Sequence, residues 1–297
     1  MKLRDLLSVP AGWTPKKTVV PLAEDPEIIH CISDAISAKI ATFILIGNKD
    51  NIANLAKSRG LDISGSEFMQ ETDEKAACEL AAKCVRDGKA QIMMKGLVQT
   101  SSFSRAFLNK EYGLIPEGRI VSHIALFDIP NYHKLLIVSD SALNIAPGVE
   151  AKAAIIRNAI EFASKLGMKT PKVACIAPIE KINPKIQSTV DAAELAQMGR
   201  EGKFGSALVE GPFGLDVAIS KESAETKHIK SEVAGDADIL LMPNLETANA
   251  FYKSLTYFGN ARVASVIGGA KIPIVLPSRA DTEESKLVSL ALAAHLC

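Results

Sequence analysis

Four segments collect the residue types that hold anions or move protons. The first is MMKGLVQTSSFSRAF from Met93, where a strand-like run ends at Lys95-Gly96 and Thr100, Ser101, Ser102 and Ser104 precede Arg105. Hydroxyls, backbone N–H groups at a helix start and an arginine fork can together hold a phosphate. The same serines also suit an ordinary solvated helix cap. The second is VSDSALNIAPG from Val138, which delivers Asp140 and Asn144 into a loop closed by Pro147-Gly148. Asp140 can orient that loop or a catalytic partner, or simply close an Asx turn. The third is LVEGPFGLDVAIS from Leu208, in which Gly211-Pro212 and Gly214 either let backbone approach a ligand or make a turn, with Asp216 next. The fourth is KIPIVLPSRADTEESK from Lys271: an apolar strand ends at Pro277, then come Ser278-Arg279 and a helix start rich in acid, Asp281, Thr282, Glu283 and Glu284. Arg279 at a strand's carboxyl end is placed to meet an anion. Without one, its charge most simply pairs with those carboxylates, which also complement the helix dipole.

Other chemistry is thinner. No Walker GxxxxGK[ST], HExxH or GxSxG pattern occurs, and His30, His123, His133, His228 and His295 are scattered. Gly268-Gly269 after a strand lacks the rest of a dinucleotide fingerprint. Cys31 and Cys78 fall inside helical patterns and read as core, and five cysteines without a C-x-x-C predict reduced thiols.

The elements that must position these groups alternate between strand and helix. Strands are predicted at 18–22, 42–46, 91–94, 120–127, 135–138, 173–177, 207–209, 239–242, 263–267 and 272–276. Helices are predicted from Glu24, with Asp25 as cap and Pro26 in the first turn, at 51–59, from a Thr72 cap to about Gly88, and at 150–166, 245–258 and 281–296. Such alternation implies mostly parallel sheet covered on both faces. The strand count favours two α/β domains around an interdomain cleft, one of residues 1–118 plus 265–297 and the other of 119–264. Ligands in such folds gather beyond the carboxyl ends of strands.

Composition narrows the class. The 297 residues carry 34 Lys+Arg against 34 Asp+Glu, so no net field advertises nucleic acid. Aromatics are 5%, which leaves few base-stacking platforms, and no apolar run is long enough for a membrane span. The start MKLRDLLSVPAGW lacks a sustained apolar stretch and carries Asp5, so a cytoplasmic protein without a signal peptide is expected.

Taken in order, MMKGLVQTSSF, DSALNIAPG, EGPFGLD, PNLETANAFYK and PIVLPSRAD resemble the phosphate acetyl/butyryltransferase family, and its butyryl branch more closely. The resemblance covers most of the chain. It implies two α/β domains akin to the isocitrate/isopropylmalate dehydrogenase architecture, and reversible transfer of a short acyl group between coenzyme A and orthophosphate. Butyryl is favoured, with acetyl possible. It implies no bound cofactor and no metal, coenzyme A and acyl phosphate as reactants, and a homo-oligomer. The acetyl branch lines its site with a Ser-Arg pair that matches Ser278 and Arg279, and Arg105 matches a further arginine once one gap is allowed. The acetyl branch's thiol base, an aspartate seven positions after that serine, is replaced here by Ser285, with Glu284 adjacent. The expected catalytic residues are Ser278, Arg279 and Glu284. The expected substrate-binding residues are Lys95, Thr100, Ser101, Ser102, Arg105, Asp140, Asn144 and Asp216. Two other classes compete: a metal- and NAD(P)-dependent decarboxylating dehydrogenase on the related fold, for which Asp236 and Asp238 lie too close in sequence, and a non-enzymatic two-domain ligand binder.

Overall fold

Asp25 accepts hydrogen bonds from the amides of Glu27 and Ile28, and Pro26 occupies the first helical turn, where its missing N–H costs nothing. The helix that follows buries Ile28, Ile29 and Ile32 on one face. Repeats of this logic build the whole chain, which a computed structural model describes over residues 2–277 and 281–297.

In chain order the elements are β1 (Lys16–Pro21), α1 (Pro26–Ser37), β2 (Ala41–Gly47), α2 (Lys49–Ser58), β3 (Glu67–Gln70), α3 (Glu74–Arg86), β4 (Ile92–Met94) and α4 (Thr100–Leu108). Then come β5 (Ser122–Asp128), β6 (Leu136–Ser139), α5 (Val149–Lys165), β7 (Lys172–Ile176), α6 (Gln187–Arg200), β8 (Leu208–Phe213), α7 (Leu215–Ile219), α8 (Lys221–Thr226), β9 (Ile239–Leu241) and α9 (Leu245–Tyr257). The chain closes with β10 (Arg262–Gly268), β11 (Ile274–Val275) and α10 (Glu283–Leu296).

Contacts divide the chain into two units. One comprises Leu3–Gly118 and Ala264–Cys297, and the other is built on Arg119–Val263. In the first, strands run in the order β3-β2-β1-β4-β11-β10. All neighbours are parallel except β10 and β11. Its terminal helix α10 packs on α1 and is almost wholly apolar on the buried side, from Val288 to Leu296. In the second, the order is β5-β6-β9-β7-β8, parallel except for the β5–β6 pair. Its core gathers Phe127, Val138, Phe213, Val217, Leu240 and Met242. Each fully buried side chain of this size contributes about 1.5–3 kcal/mol.

Three sequence expectations need correction. The cap of α3 is Asp73, whose carboxylate accepts from the Ala76 amide, and not Thr72. A carboxylate there also matches the positive end of the helix. The apolar run at 272–276 forms only the two-residue strand β11, because Pro273 and Pro277 flank it without N–H groups to donate. Finally, β3 and α6 are elements that the apolar pattern did not reveal. β3 is a four-residue edge strand with polar residues at both ends, and α6 opens after Ile186 with no side-chain cap.

Candidate active site

In the first unit the site is built at the carboxyl ends of β4 and β11. The two strands are parallel neighbours, and the Lys95 amide donates to the Val275 carbonyl at 3.0 Å. The next residue must be glycine. A Cβ on Gly96 would stand 2.2 Å from the Pro21 carbonyl oxygen and 2.6 Å from that of Leu22. That close approach seats β4 against β1 and fixes where Lys95 emerges. The Lys95 side chain is buried, and its ammonium donates to the Gly96 carbonyl at 3.3 Å. Four residues on, α4 begins. Its cap position is Gln99, without a side-chain cap bond, so Thr100, Ser101 and Ser102 lie in the first turn and do not cap it. Thr100, Ser101 and Arg105 are exposed, Ser102 is half-buried, and no hydrogen bond or ion pair is found for Arg105 among the described residues.

Ser278 and Arg279 lie outside the described residues. Past them, Thr282 caps α10 by accepting from the Ser285 amide at 3.1 Å. Glu284 pairs with Arg4 at 3.0 Å, Glu283 lies 3.2 Å from His30 Nδ1, and the buried Lys286 binds Glu27 at 2.5 Å. Lys95, the start of α4 and the exit of β11 thus lie together at the carboxyl ends of two neighbouring parallel strands.

In the second unit, Asp140 follows β6 and is buried. Its carboxylate accepts from the amides of Ala142, Leu143 and Asn144 at 2.8, 3.0 and 3.2 Å, and from the Asn144 side-chain amide. Asn144 Nδ2 also donates to the Val121 carbonyl at 2.9 Å. The Asx turn and the loop-orienting role read from sequence are therefore one feature. It holds the segment that leads through Pro147-Gly148 into α5.

That segment borders a pocket of about 970 Å³. The pocket lies over the carboxyl ends of β7, β8 and β9, where open α/β sheets hold ligands. Ala146–Val149, Ile176–Pro178, Leu215 and Pro243 give it a largely apolar wall, and Gln187, Ser188, Asn244 and Thr247 add neutral polar groups. Asp216 lines it too, but its carboxylate is bound by Lys227 at 2.9 Å, and that hydrogen bond holds it below the usual carboxylate range. Gly211 is needed for a close approach, since it has φ +151° and a Cβ would meet the Cys175 carbonyl oxygen at 2.7 Å.

Also lining the pocket is an ion pair that sequence reasoning missed. Lys152 Nζ and Asp191 Oδ2 stand 2.5 Å apart with 6% and 4% of their side-chain surface exposed. Gln187 donates to the other Asp191 oxygen at 2.7 Å. A signal did exist: Lys152 shares a face of α5 with Ile155, Ile156 and Ala159, and Asp191 shares one of α6 with Leu195 and Met198. A charge on an apolar stripe marks a partner elsewhere in the fold.

Nucleophile candidates are scarce. Burial pushes the thiols of Cys31, Cys78 and Cys175 up to about 12, so none is a thiolate at neutral pH. Asp236 and Asp238 bind Lys134, and Asp236 also binds Lys172. Among the described residues no group of three His, Cys, Asp or Glu side chains could hold a metal ion, and no helix is long and apolar enough to cross a membrane.

Candidate anion-binding groups at the carboxyl ends of β4 and β11 and, separately, a ligand-sized pocket in the second unit are features that a transferase for a phosphorylated reactant would use. The family model of phosphate acetyl/butaryl transferase matches residues 71–294. A phosphate butyryltransferase of Clostridium beijerinckii is 44% identical over 279 residues, covering 94% of this chain and 92% of the relative. A phosphate acetyltransferase of Thermotoga maritima is 36% identical, covering 94% of each. The crystal structure of a branched-chain phosphotransacylase from Enterococcus faecalis superposes with a TM-score of 0.84 at 34% identity, covering 95% of this chain and 98% of the other. The chain belongs to the phosphate acetyl/butaryl transferase family, and its activity is phosphate acyl transfer. The dehydrogenase and ligand-binder alternatives are set aside.

Proposed function

We propose that the chain transfers a short acyl group, butyryl in preference to acetyl, between coenzyme A and orthophosphate. In one direction a phosphate oxygen attacks the thioester carbonyl carbon, negative charge builds on the carbonyl oxygen, and the C–S bond breaks to release the coenzyme A thiolate, which takes up a proton. In the other direction the thiol must lose that proton. With a pKa near 8.5 it is only a few per cent ionised at neutral pH. Lys95, the first turn of α4 and Arg105 bind the phosphate oxygens in this reading. Ser278 and Arg279 meet the charge that develops at the reacting carbonyl, where preorganised donors contribute a few kcal/mol each. Glu284, beside Ser285, is the proton acceptor. Asp140 and Asn144 shape the loop ahead of α5, and Asp216 borders the second substrate. With the buried thiols un-ionised, direct transfer between the two substrates is favoured over a covalent acyl-enzyme.

The observation that carries the reading is the 3.0 Å bond between Lys95 N and Val275 O. It sets the lysine beside the strand from which Ser278-Arg279 continue. The butyryl preference is supported by the 44% identical relative of that name. Two additional methylenes in a fitted pocket are worth about 1.6 kcal/mol, close to 15-fold. Thiol release with phosphate, measured across acetyl-, propionyl-, butyryl- and isobutyryl-CoA, should give its highest kcat/KM on butyryl-CoA. A maximum on acetyl-CoA would reverse the assignment.

A further inference from the structure

An acyl phosphate joins its acyl carbon to phosphorus through a single oxygen, so whatever holds the phosphate brings the acyl chain against the neighbouring surface. In the first unit that surface is shaped by a turn just after β4. The Gly96 carbonyl oxygen accepts from the Lys95 ammonium at 3.3 Å and from the Val98 amide at 2.9 Å. The second bond closes a three-residue γ-turn with Leu97 at its tip. The Leu97 amide donates to the Leu22 carbonyl at 2.7 Å, which pins that tip to the chain leaving β1. Gly96 and Val98 on either side are buried, yet Leu97 keeps 51% of its surface exposed. One carbonyl oxygen thus anchors both the ammonium and the turn that presents Leu97.

A single exposed leucine is ordinary on a protein surface, so its position has to decide whether it matters. Among the described residues of the first unit, the exposed large apolar side chains are Leu97 and Leu108. Leu108 closes α4, and at 1.5 Å per residue it stands about 12 Å along the helix from Thr100. Leu97 lies between Lys95 and the first turn of α4, on the segment that carries both. The groups around it in the chain are an ammonium, hydroxyls and backbone N–H groups, which suit phosphate oxygens and offer nothing to a hydrocarbon chain. We propose that Leu97 is a specificity-determining residue, whose side chain packs against the acyl chain and favours butyryl over acetyl while Lys95 and the first turn of α4 hold the phosphate. The inference rests on the acyl-transfer reading above, and adds to it the residue against which the hydrocarbon lies.

The test is kcat/KM for acetyl-, propionyl- and butyryl-CoA at saturating orthophosphate, on wild type, Leu97→Ala, Leu97→Met and Leu108→Ala. KM for phosphate and melting temperature are measured on the same preparations. The two methylenes that separate butyryl from acetyl are worth up to about 15-fold when fully buried, so Leu97→Ala should lower the butyryl-to-acetyl ratio by about 4–15-fold, with propionyl between. The loss should fall on butyryl-CoA, with acetyl-CoA and KM for phosphate kept within about twofold, because the turn's backbone and Lys95 are untouched. Melting temperature should stay close to that of wild type, since the side chain removed is exposed. Leu97→Met conserves volume and should hold the ratio within about threefold of wild type. Leu108→Ala, at the far end of α4, should leave it within about twofold. A ratio that stays within twofold of wild type in folded, active Leu97→Ala overturns the assignment of Leu97 alone. Equal loss on all three substrates also overturns it, and would make the leucine a support for the turn. A wild type that releases no thiol from any of these acyl-CoAs with phosphate overturns the acyl-transfer reading, and the assignment with it.

Discussion

Lys152 and Asp191 meet at 2.5 Å, both more than nine-tenths buried, and tie the second turn of α5 to the second turn of α6. Removing one partner of such a pair strands a charge away from water, and the cost is about 3–5 kcal/mol. Asp191→Ala should therefore lose about that much stability in urea unfolding, whereas Lys152→Met/Asp191→Leu should lie within about 1–2 kcal/mol of wild type. Equal losses in the two variants would mean that packing, rather than charge pairing, holds the helices together.

A second network stands at the amino ends of β6, β7 and β9 in the same unit. Asp236 accepts from Lys172 at 2.6 Å, Lys134 at 2.9 Å and His133 Nε2 at 2.8 Å. Burial alone would push its carboxyl up, but the hydrogen bonds from Lys172, Lys134 and His133 outweigh this and hold it well below the usual carboxylate range. A carboxylate whose pKa is depressed on folding contributes stability that is complete above its unfolded value, near 3.9, and is lost as pH falls toward the folded value. Asp236→Asn should cost about 1–3 kcal/mol at pH 7. Its melting temperature should also fall less steeply than that of wild type between about pH 4 and pH 2. Parallel pH profiles for the two proteins would contradict the assignment.

Much of this architecture can be read from the chain, for local reasons. Asp25-Pro26 before an apolar stripe specifies α1, and β-branched runs between amphipathic stretches specify parallel sheet. What escaped reading depends on distant partners. β3 is an edge strand of four residues, with Phe68 and Met69 half-buried and Glu67 and Gln70 exposed, so neither face is uniformly apolar, and among the described residues its strand partner is β2. β11 looked longer than it is because apolar content does not report the amide hydrogens that its flanking prolines lack. The Asx turn that joins Asp140 to Asn144 was legible, because it is written within five residues. The pairing of Lys152 with Asp191, 39 positions apart, was not: each stands as a charge on an apolar stripe, but nothing in either helix names the other as its partner.

Arg279 carries the sharpest residue-level expectation. It follows β11 and precedes the acidic start of α10. If it serves the transition state, Arg279→Ala should lower kcat by about 10²–10³ with little change in melting temperature. Arg279→Lys should restore only part of the rate, because an ammonium lacks the planar fork. An alanine variant that melts early but turns over normally per folded molecule would remove the residue from the site.

Phosphate dependence tests the account at its centre. Thiol release from butyryl-CoA is followed with and without orthophosphate, in the presence of excess EDTA. The account predicts release that requires phosphate, saturates with it, and persists with the chelator, with butyryl phosphate formed in equal amount to the thiol. Release at the same rate when phosphate is omitted, yielding butyrate, would make the protein a thioesterase and contradict the account.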